Sequence, residues 1–480
     1  MDTSTDTYKP LNTLKCHFTW NLQKKQGDNE SIEEKLNSQM EFLVTDNKYM
    51  VYNLMAYIKH VQGDYTKAIV MLEEAEELCL LNSNQSPAKL LVIYGNYAWL
   101  YYKLNEYEKS QLYVEKVENI YQELKQSNDP NLFNCPEIYG EQGWTLLKYS
   151  GHYYEQAKEC FEKALESAPE DPEWNTGYAI AVHRLECLPN YKCSDHRSLD
   201  LLKRATELNP KDSEVKTLLG LKLQELCREV EGLKYIEEAL AQTPNHPSCL
   251  RYAAKFYRKA GMIDEALHIL KRAVSLQPKS SFIHHQIGQC YRKKIFSGKT
   301  DHQNSQLSTE ERNKFIQKAI FHFELTLEFD NSFTYAYVDL ANMYKEAKEY
   351  TKAEEKFNEV LSFQNLIGED MQQIHHHFGK FAEYCKKSES KAIHHYKKAL
   401  LIPISTQDRM QCEKRLEIIA KRKLERNPRD SIALGLLGLV YKVQENISSA
   451  IEYYEKALKY FPSNEEYSRA LHELKTKAMN

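Results

Sequence analysis

The residues in this 480-residue chain best suited to chemistry are cations set one helical turn from flat or apolar groups. Trp144 and Lys148 stand four apart, as do Ile180 and Arg184, and Lys35, Gln39 and Leu43 follow one another at the same interval. On a helix such residues share a face. An aromatic platform beside cations suits a base attached to phosphates, because the ring stacks while ammonium and guanidinium groups meet the charge. Taken singly, a tryptophan such as Trp144 is more often a core residue than a platform. Arg251, Lys255 and Arg258 stand at i, i+4 and i+7, and His284, His285 and Gln286 fall on the next helix expected to face the same way. From Ser248 to Thr300 eleven Lys and Arg face two acids, a net +9 in a chain of net charge −4, so the remainder carries −13. A cationic groove of this kind suits a polyanion.

Other chemistry is poorly supported. Ser297-Gly298-Lys299-Thr300 contains a GKT triplet, but a phosphate loop needs a glycine five residues before Gly298, where Lys293 stands. His375, His376 and His377 are adjacent, and helical neighbours point about 100° apart, which prevents all three from ligating one ion. The 11 cysteines include no C-x-x-C pair and fit a reduced compartment. No nucleophile carries a local signature. The expectation is a protein with no cofactor, no metal and no catalytic activity.

What must position these residues is a helical scaffold. Gly and Pro total 30 of 480, about 6% against a usual share near 12%, which favours long helices with few sharp turns. Five alanines are followed by proline five residues later: Ala164/Pro169, Ala205/Pro210, Ala239/Pro244, Ala273/Pro278 and Ala457/Pro462. Ala205, Ala239 and Ala273 are 34 apart, the tetratricopeptide period. Small residues and rings recur between them, as in Gly438, Tyr441, Ala450, Tyr454 and Ala457. Such a pattern lets two antiparallel helices approach where one side is small and a neighbour's ring fills the notch. The predicted fold is all-α: a superhelix of about nine or ten tetratricopeptide repeats with irregular helical insertions, curved around a central basic channel. Ser297 to Asn313 and Glu186 to Ser198 read as loops inserted between helices. Residues 1–240 are expected to form an N-terminal sub-bundle with the pocket, 241–400 central repeats with the basic groove, and 401–480 C-terminal repeats. No run of about 18 uncharged apolar residues exists, and the first 20 residues lack the basic patch and apolar run of a leader, so a cytoplasmic location and no membrane contact are expected.

Longer strings point further. Cys16-His17-Phe18-Thr19-Trp20, Asn53-Leu54-Met55-Ala56-Tyr57-Ile58-Lys59-His60, Cys135-Pro136-Glu137, Gly177-Tyr178-Ala179-Ile180, Arg251-Tyr252-Ala253-Ala254-Lys255-Phe256-Tyr257-Arg258 and His284-His285-Gln286-Ile287-Gly288 resemble the interferon-induced proteins with tetratricopeptide repeats, in its branch that binds RNA 5′ ends. The likeness spans essentially the whole chain. It implies an antiviral, cytosolic, non-catalytic protein that captures single-stranded RNA carrying a 5′-triphosphate or a 2′-O-unmethylated cap and blocks its translation. It implies partners in RNA 5′ ends and related family members, with self-association as a homodimer and no DNA.

Carried over by motif, the resemblance implies cap contacts from Gln39, Leu43, Thr45, Trp144, Glu173 and Ile180. It implies phosphate contacts from Lys35, Lys148 and Arg184, and contacts to following nucleotides from Tyr154, Arg251, Lys255, Arg258, His285 and Gln286. Three positions depart from the family pattern: Glu214 stands where a tyrosine is usual, Lys35 replaces arginine and loses its bidentate fork, and His183 replaces a tyrosine. A carboxylate at 214 would repel phosphate and relax sensitivity to 2′-O-methylation. Tyr454 and Leu458, four apart, would serve oligomerisation, although Tyr454 also fits the repeat's own aromatic slot. A protein-interaction scaffold, the commonest use of these repeats, is the alternative function; it needs neither the +9 segment nor the Trp144/Lys148 pair.

Overall fold

The computed structural model describes residues 10–23, 32–33, 36–37, 40, 47–81, 86–126, 135–188, 197–297, 307–364 and 366–479. Among them the regular structure is helical, with no strand. The chain forms two compact units, Met1–Leu276 and Gln277–Asn480.

The first unit is a series of helical hairpins. Its helices are α1 (Lys48–Val61), α2 (Tyr65–Leu81), α3 (Leu90–Lys103), α4 (Tyr107–Gln126), α5 (Pro136–Tyr149), α6 (Tyr154–Ser167), α7 (Pro172–Glu186), α8 (Arg197–Leu208), α9 (Ser213–Glu225), α10 (Glu229–Gln242), α11 (Pro247–Lys259) and α12 (Ile263–Leu276). The second unit holds α13 (Ser281–Ser297), α14 (Thr309–Phe329), α15 (Thr334–Glu346), α16 (Tyr350–Leu361), α17 (Gly368–Tyr384), α18 (Glu389–Leu401), α19 (Gln407–Arg426), α20 (Ser431–Val443), α21 (Ile447–Tyr460) and α22 (Glu465–Met479). The Ala-to-Pro spacing marks the ends of second helices: Pro210, Pro244, Pro278 and Pro462 each stand two residues beyond α8, α10, α12 and α21. Starts are set by caps. Asp171, Asp212 and Asp430 accept the backbone N–H of Trp174, Val215 and Ala433 at 2.8, 3.0 and 2.9 Å.

The small-residue notches are filled as the pattern requires. Phe161 of α6 is wholly buried, and a Cβ added at Gly143 of α5 or Gly177 of α7 would stand 2.9 or 2.3 Å from its Cζ. One ring thus locks three helices. Gly288 meets Phe323 and Gly379 meets Tyr396 in the second unit, a hypothetical Cβ lying 2.5 Å from the ring in each. Full burial of such a ring contributes roughly 1.5–3 kcal/mol relative to exposure. The turns inside hairpins repeat as well. A residue with φ between 50° and 84° follows α1, α3, α9, α11, α15, α17 and α20: Gly63, Asn105, Cys227, Gly261, Lys348, Lys387 and Glu445.

Two expectations need correction. The Ser297–Asn313 loop ends sooner than expected, because Ser308 and Glu311 form a reciprocal capping box that starts α14 at Thr309; residues 298–306 lie outside the described residues. Tyr454 is 3% exposed, its ring against Gly438 and 5.9 Å from Tyr467. It fills the notch of its own hairpin, which removes it from any outward contact. Leu458, one turn on, is half-buried.

Candidate functional site

Helix α5 presents Glu141, Trp144, Thr145 and Lys148 at i, i+3, i+4 and i+7, along one face. A buried polar chain meets this helix at Glu141 and Thr145. The His17 backbone N–H donates to Asn96 Oδ1 at 3.1 Å, and Asn96 Nδ2 donates to His17 Nδ1 at 2.9 Å. That leaves His17 Nε2 as the donor to Thr145 Oγ1, 3.0 Å away. Asn96 also donates to Asn53, whose Nδ2 donates to Glu141 Oε1 at 2.6 Å. Burial lowers His17 to about 3, against the Asn96 hydrogen bond. It raises Glu141 to about 8, with Asn53 and Lys148 opposing. The imidazole is therefore neutral and Glu141 largely protonated at neutral pH. His17 and Asn53 belong to strings that resemble the family, but spacing gave neither a role; their network is visible only once α1, α3 and α5 are packed.

Of the expected residues, Trp144 and Lys148 stand on α5, and Ile180 and Arg184 on α7, which packs against it. Trp144 is half-buried, edge-on to Phe161 at 5.5 Å, with Lys148 Nζ 5.4 Å from its ring centroid. On α7, Ile180 is 3% exposed, and Arg184 Nη1 donates to the Leu147 carbonyl at 3.1 Å, tying α7 to α5. The Arg184 guanidinium lies 5.6 Å from the Tyr154 ring centroid, and its Nη2 is 4.0 Å from Glu214 Oε1 of α9. Cations here are opposed by acids. Burial pushes the Lys148 ammonium down to about 8, while Glu214 and Glu173 act to keep its proton on. Burial, reinforced by Asp171, raises Glu173 in the first turn of α7. Burial, with Glu214 beside it, raises Asp212 to about 7.

Further along the first unit, Arg251, Lys255 and Arg258 are all half-buried on α11. Arg251 Nη2 lies 3.4 Å from the Tyr252 hydroxyl, which it meets as a donor, and its guanidinium is 5.0 Å from that ring centroid. Tyr252 was missed in the sequence, where nothing separated it from a core tyrosine. His183 of α7 is lowered to about 4 by burial, against Glu225, with Lys222 and Lys255 adding to the effect. A ring beside two cations, backed by a rigid helix, can stack a flat cyclic group while charge-pairing an attached anion.

Tetratricopeptide-repeat models match residues 49–123, 151–171 and 431–464. The antiviral innate immune response effector IFIT1 of Homo sapiens is 43% identical over 456 residues, covering 94% of this chain and 95% of that protein. IFIT1 of Macaca fascicularis is 42% identical, covering 96% and 97%. Interferon-induced protein with tetratricopeptide repeats 2 of Homo sapiens is 35% identical over 93% and 94%. The chain belongs to the family of interferon-induced proteins with tetratricopeptide repeats. Solved structures of the family share its fold. A human IFIT1 dimer with m7Gppp-AAAA matches with a TM-score of 0.83 at 42% identity, covering 95% of this chain and 100% of that one. A human IFIT1 dimer with PPP-AAAA matches at 0.81 and 41%, with the same coverage.

Within this family member, Lys35, Gln39, Leu43 and Thr45 lie outside the described residues. His285 and Gln286 belong to the second unit, each 8% exposed, and His285 Nε2 is 2.9 Å from Asp339 Oδ2. Asp339 also pairs with Arg292 Nη1 at 2.6 Å, so His285 is held inside that unit's own polar network. The three adjacent histidines diverge. His375 faces His395 at 3.1 Å, while His376, His377 and Asp408 bring one ligand atom each within 4.8 Å of the others. Those two rings already have partners, Asp408 at 2.6 Å for His376 and the Asn342 amide at 3.1 Å for His377. No helix among the described residues is long and apolar enough to cross a membrane.

Proposed function

We propose that this chain is a non-catalytic antiviral protein that takes the 5′ end of single-stranded RNA, capped or triphosphorylated, beside Trp144. The observation that carries this is the meeting of Trp144, Lys148 and Arg184 on α5 and α7, in a chain 42% identical to IFIT1 structures that hold m7Gppp-AAAA and 41% to one that holds PPP-AAAA. Trp144 stacks the terminal base, with Leu43 and Ile180 on its other face and Gln39, Thr45 and Glu173 at its polar edge. Lys148 and Arg184 take the phosphates with Lys35, and the following nucleotides run past Tyr154, Arg251, Lys255 and Arg258. Holding an end in this way withholds the RNA from translation in the cytoplasm. Association with a second copy or with other members of the family completes the assembly.

The test is a gel-shift comparison of one short RNA bearing a 5′-hydroxyl, a 5′-triphosphate or a cap. Both modified ends should bind far better than the hydroxyl; equal affinity for all three would defeat end recognition. Trp144→Ala should weaken capped RNA by about 5- to 150-fold, the equivalent of the 1–3 kcal/mol that base stacking contributes, and triphosphate RNA much less.

A further inference from the structure

The pocket contains a carboxylate where its ligand should be opposed. Glu214, in the first turn of α9, holds Oε1 4.0 Å from Arg184 Nη2, with both side chains about three-quarters buried (21% and 27% exposed). Among charged neighbours Glu214 acts most strongly on Lys148, and it also bears on Asp212 and on His246, which in turn feels Arg251. One carboxylate is therefore common to the two pocket cations and to the head of α11. Its backbone is fixed, since Thr217 Oγ1 donates to the Glu214 carbonyl at 2.7 Å and Asp212 caps the helix. A phosphate bonded to Arg184 Nη2 would stand a few ångströms from this carboxylate.

We propose that Glu214 is a specificity-determining residue, a built-in counter-anion that favours capped RNA ends over open triphosphates. The proposal rests on RNA ends binding beside Trp144. An open triphosphate ends in a phosphate with a second ionisable oxygen, pKa about 6, and so carries an extra charge at neutral pH. The phosphates bridging a cap lack that oxygen. Like charges a few ångströms apart repel strongly in a partly buried site, so the extra charge is penalised at Glu214. The same carboxylate partly neutralises Arg184 and Lys148 in the free protein, which lowers their pull on any phosphate.

The experiment uses the full chain and its Glu214→Gln variant, which keeps size and removes charge. Affinity is measured near pH 7 for the hydroxyl, triphosphate and capped forms of one short oligoadenylate. Expected is a gain of about tenfold for triphosphate RNA, about threefold for capped RNA and none for the hydroxyl form. A change in Lys148 protonation acts on both modified ends alike, so the ratio of their affinities is the readout. Glu214→Asp, which keeps the charge, should keep the parent's ratio. An unchanged ratio in Glu214→Gln, or an equal gain for all three RNAs, would overturn the proposal. A parent that binds all three equally would instead remove end recognition itself. Glu118→Gln, an exposed charge loss on α4, controls for net charge and should leave the ratio alone; a matching shift there overturns the assignment to Glu214.

Discussion

Raising the pH from 7 to 9 should discharge Lys148 and loosen RNA ends. A lysine in water holds its proton throughout this range, near pKa 10.4. Burial brings the Lys148 ammonium to about 8. With that value the group is about 90% charged at pH 7 and about 10% at pH 9. If phosphate binding needs the charged form, affinity falls up to about tenfold. A bound phosphate also draws the proton back, so a loss of about three- to tenfold is expected. Glu141 and Asp212, with pKa values near 8 and 7, gain negative charge over the same interval and add to the fall. Lys148→Arg separates the contributions, because a guanidinium stays charged and any remaining slope belongs to those carboxyls. Fluorescence polarisation with a labelled 5′-triphosphate oligoadenylate, and its 5′-hydroxyl twin as control, gives the profile. A flat parent curve, or an equal slope in Lys148→Arg, would refute the role given to this ammonium.

Four further substitutions test the packing and the self-association. Glu141 has its folded pKa raised from 4.5 to about 8, so the folded state keeps a proton that the unfolded chain releases, and stability falls as pH rises between those values. Glu141→Gln should therefore gain on the order of 3 kcal/mol at pH 7 but under about 1 kcal/mol at pH 5, in urea titrations at both; a pH-independent gain would contradict this. Gly177→Ala drives a methyl to within 2.3 Å of the Phe161 ring and should cost about 1–3 kcal/mol or more, seen as a lower melting temperature. Tyr454→Ala should cost about 3–5 kcal/mol by emptying the notch at Gly438, whereas Leu458→Glu should leave the fold intact and lower the mass seen by light scattering; an unchanged mass removes Leu458 from self-association.

Much of the scaffold was legible because its punctuation is chemical. Alanine-to-proline spacing marks where second helices stop, since proline cannot continue a helix and the helices must close to small-residue distance first. The turns were legible only in part. Gly63 and Gly261 announce a positive φ, but Cys227, Lys348, Lys387 and Glu445 adopt the same conformation with side chains that disfavour it. Their geometry is imposed by two packed helices, a tertiary cause that residue type does not carry. The capping box at Ser308 was readable, yet the polar residues before it concealed the start of α14.

The candidate site shows what helical spacing can and cannot reveal. Intervals of four identified which cations share a face with Trp144 and Ile180, and those helices do meet through Arg184 and the Leu147 carbonyl. Spacing could not reveal the sign of the field, because the opposing acids come from elsewhere in the chain. Within the segment of +9, Arg292 is paired with Asp339, and Lys259 is 3.5 Å from Glu225. Lys148 likewise answers to Glu173 on α7 and Glu214 on α9. These acids do more than subtract charge. Burial without them would push the Lys148 pKa lower still, towards a neutral amine that cannot attract a phosphate. The carboxylates that oppose a polyanion thus also help the buried lysine to keep its proton, so removing Glu214 lifts a repulsion and at the same time lowers the charge on Lys148.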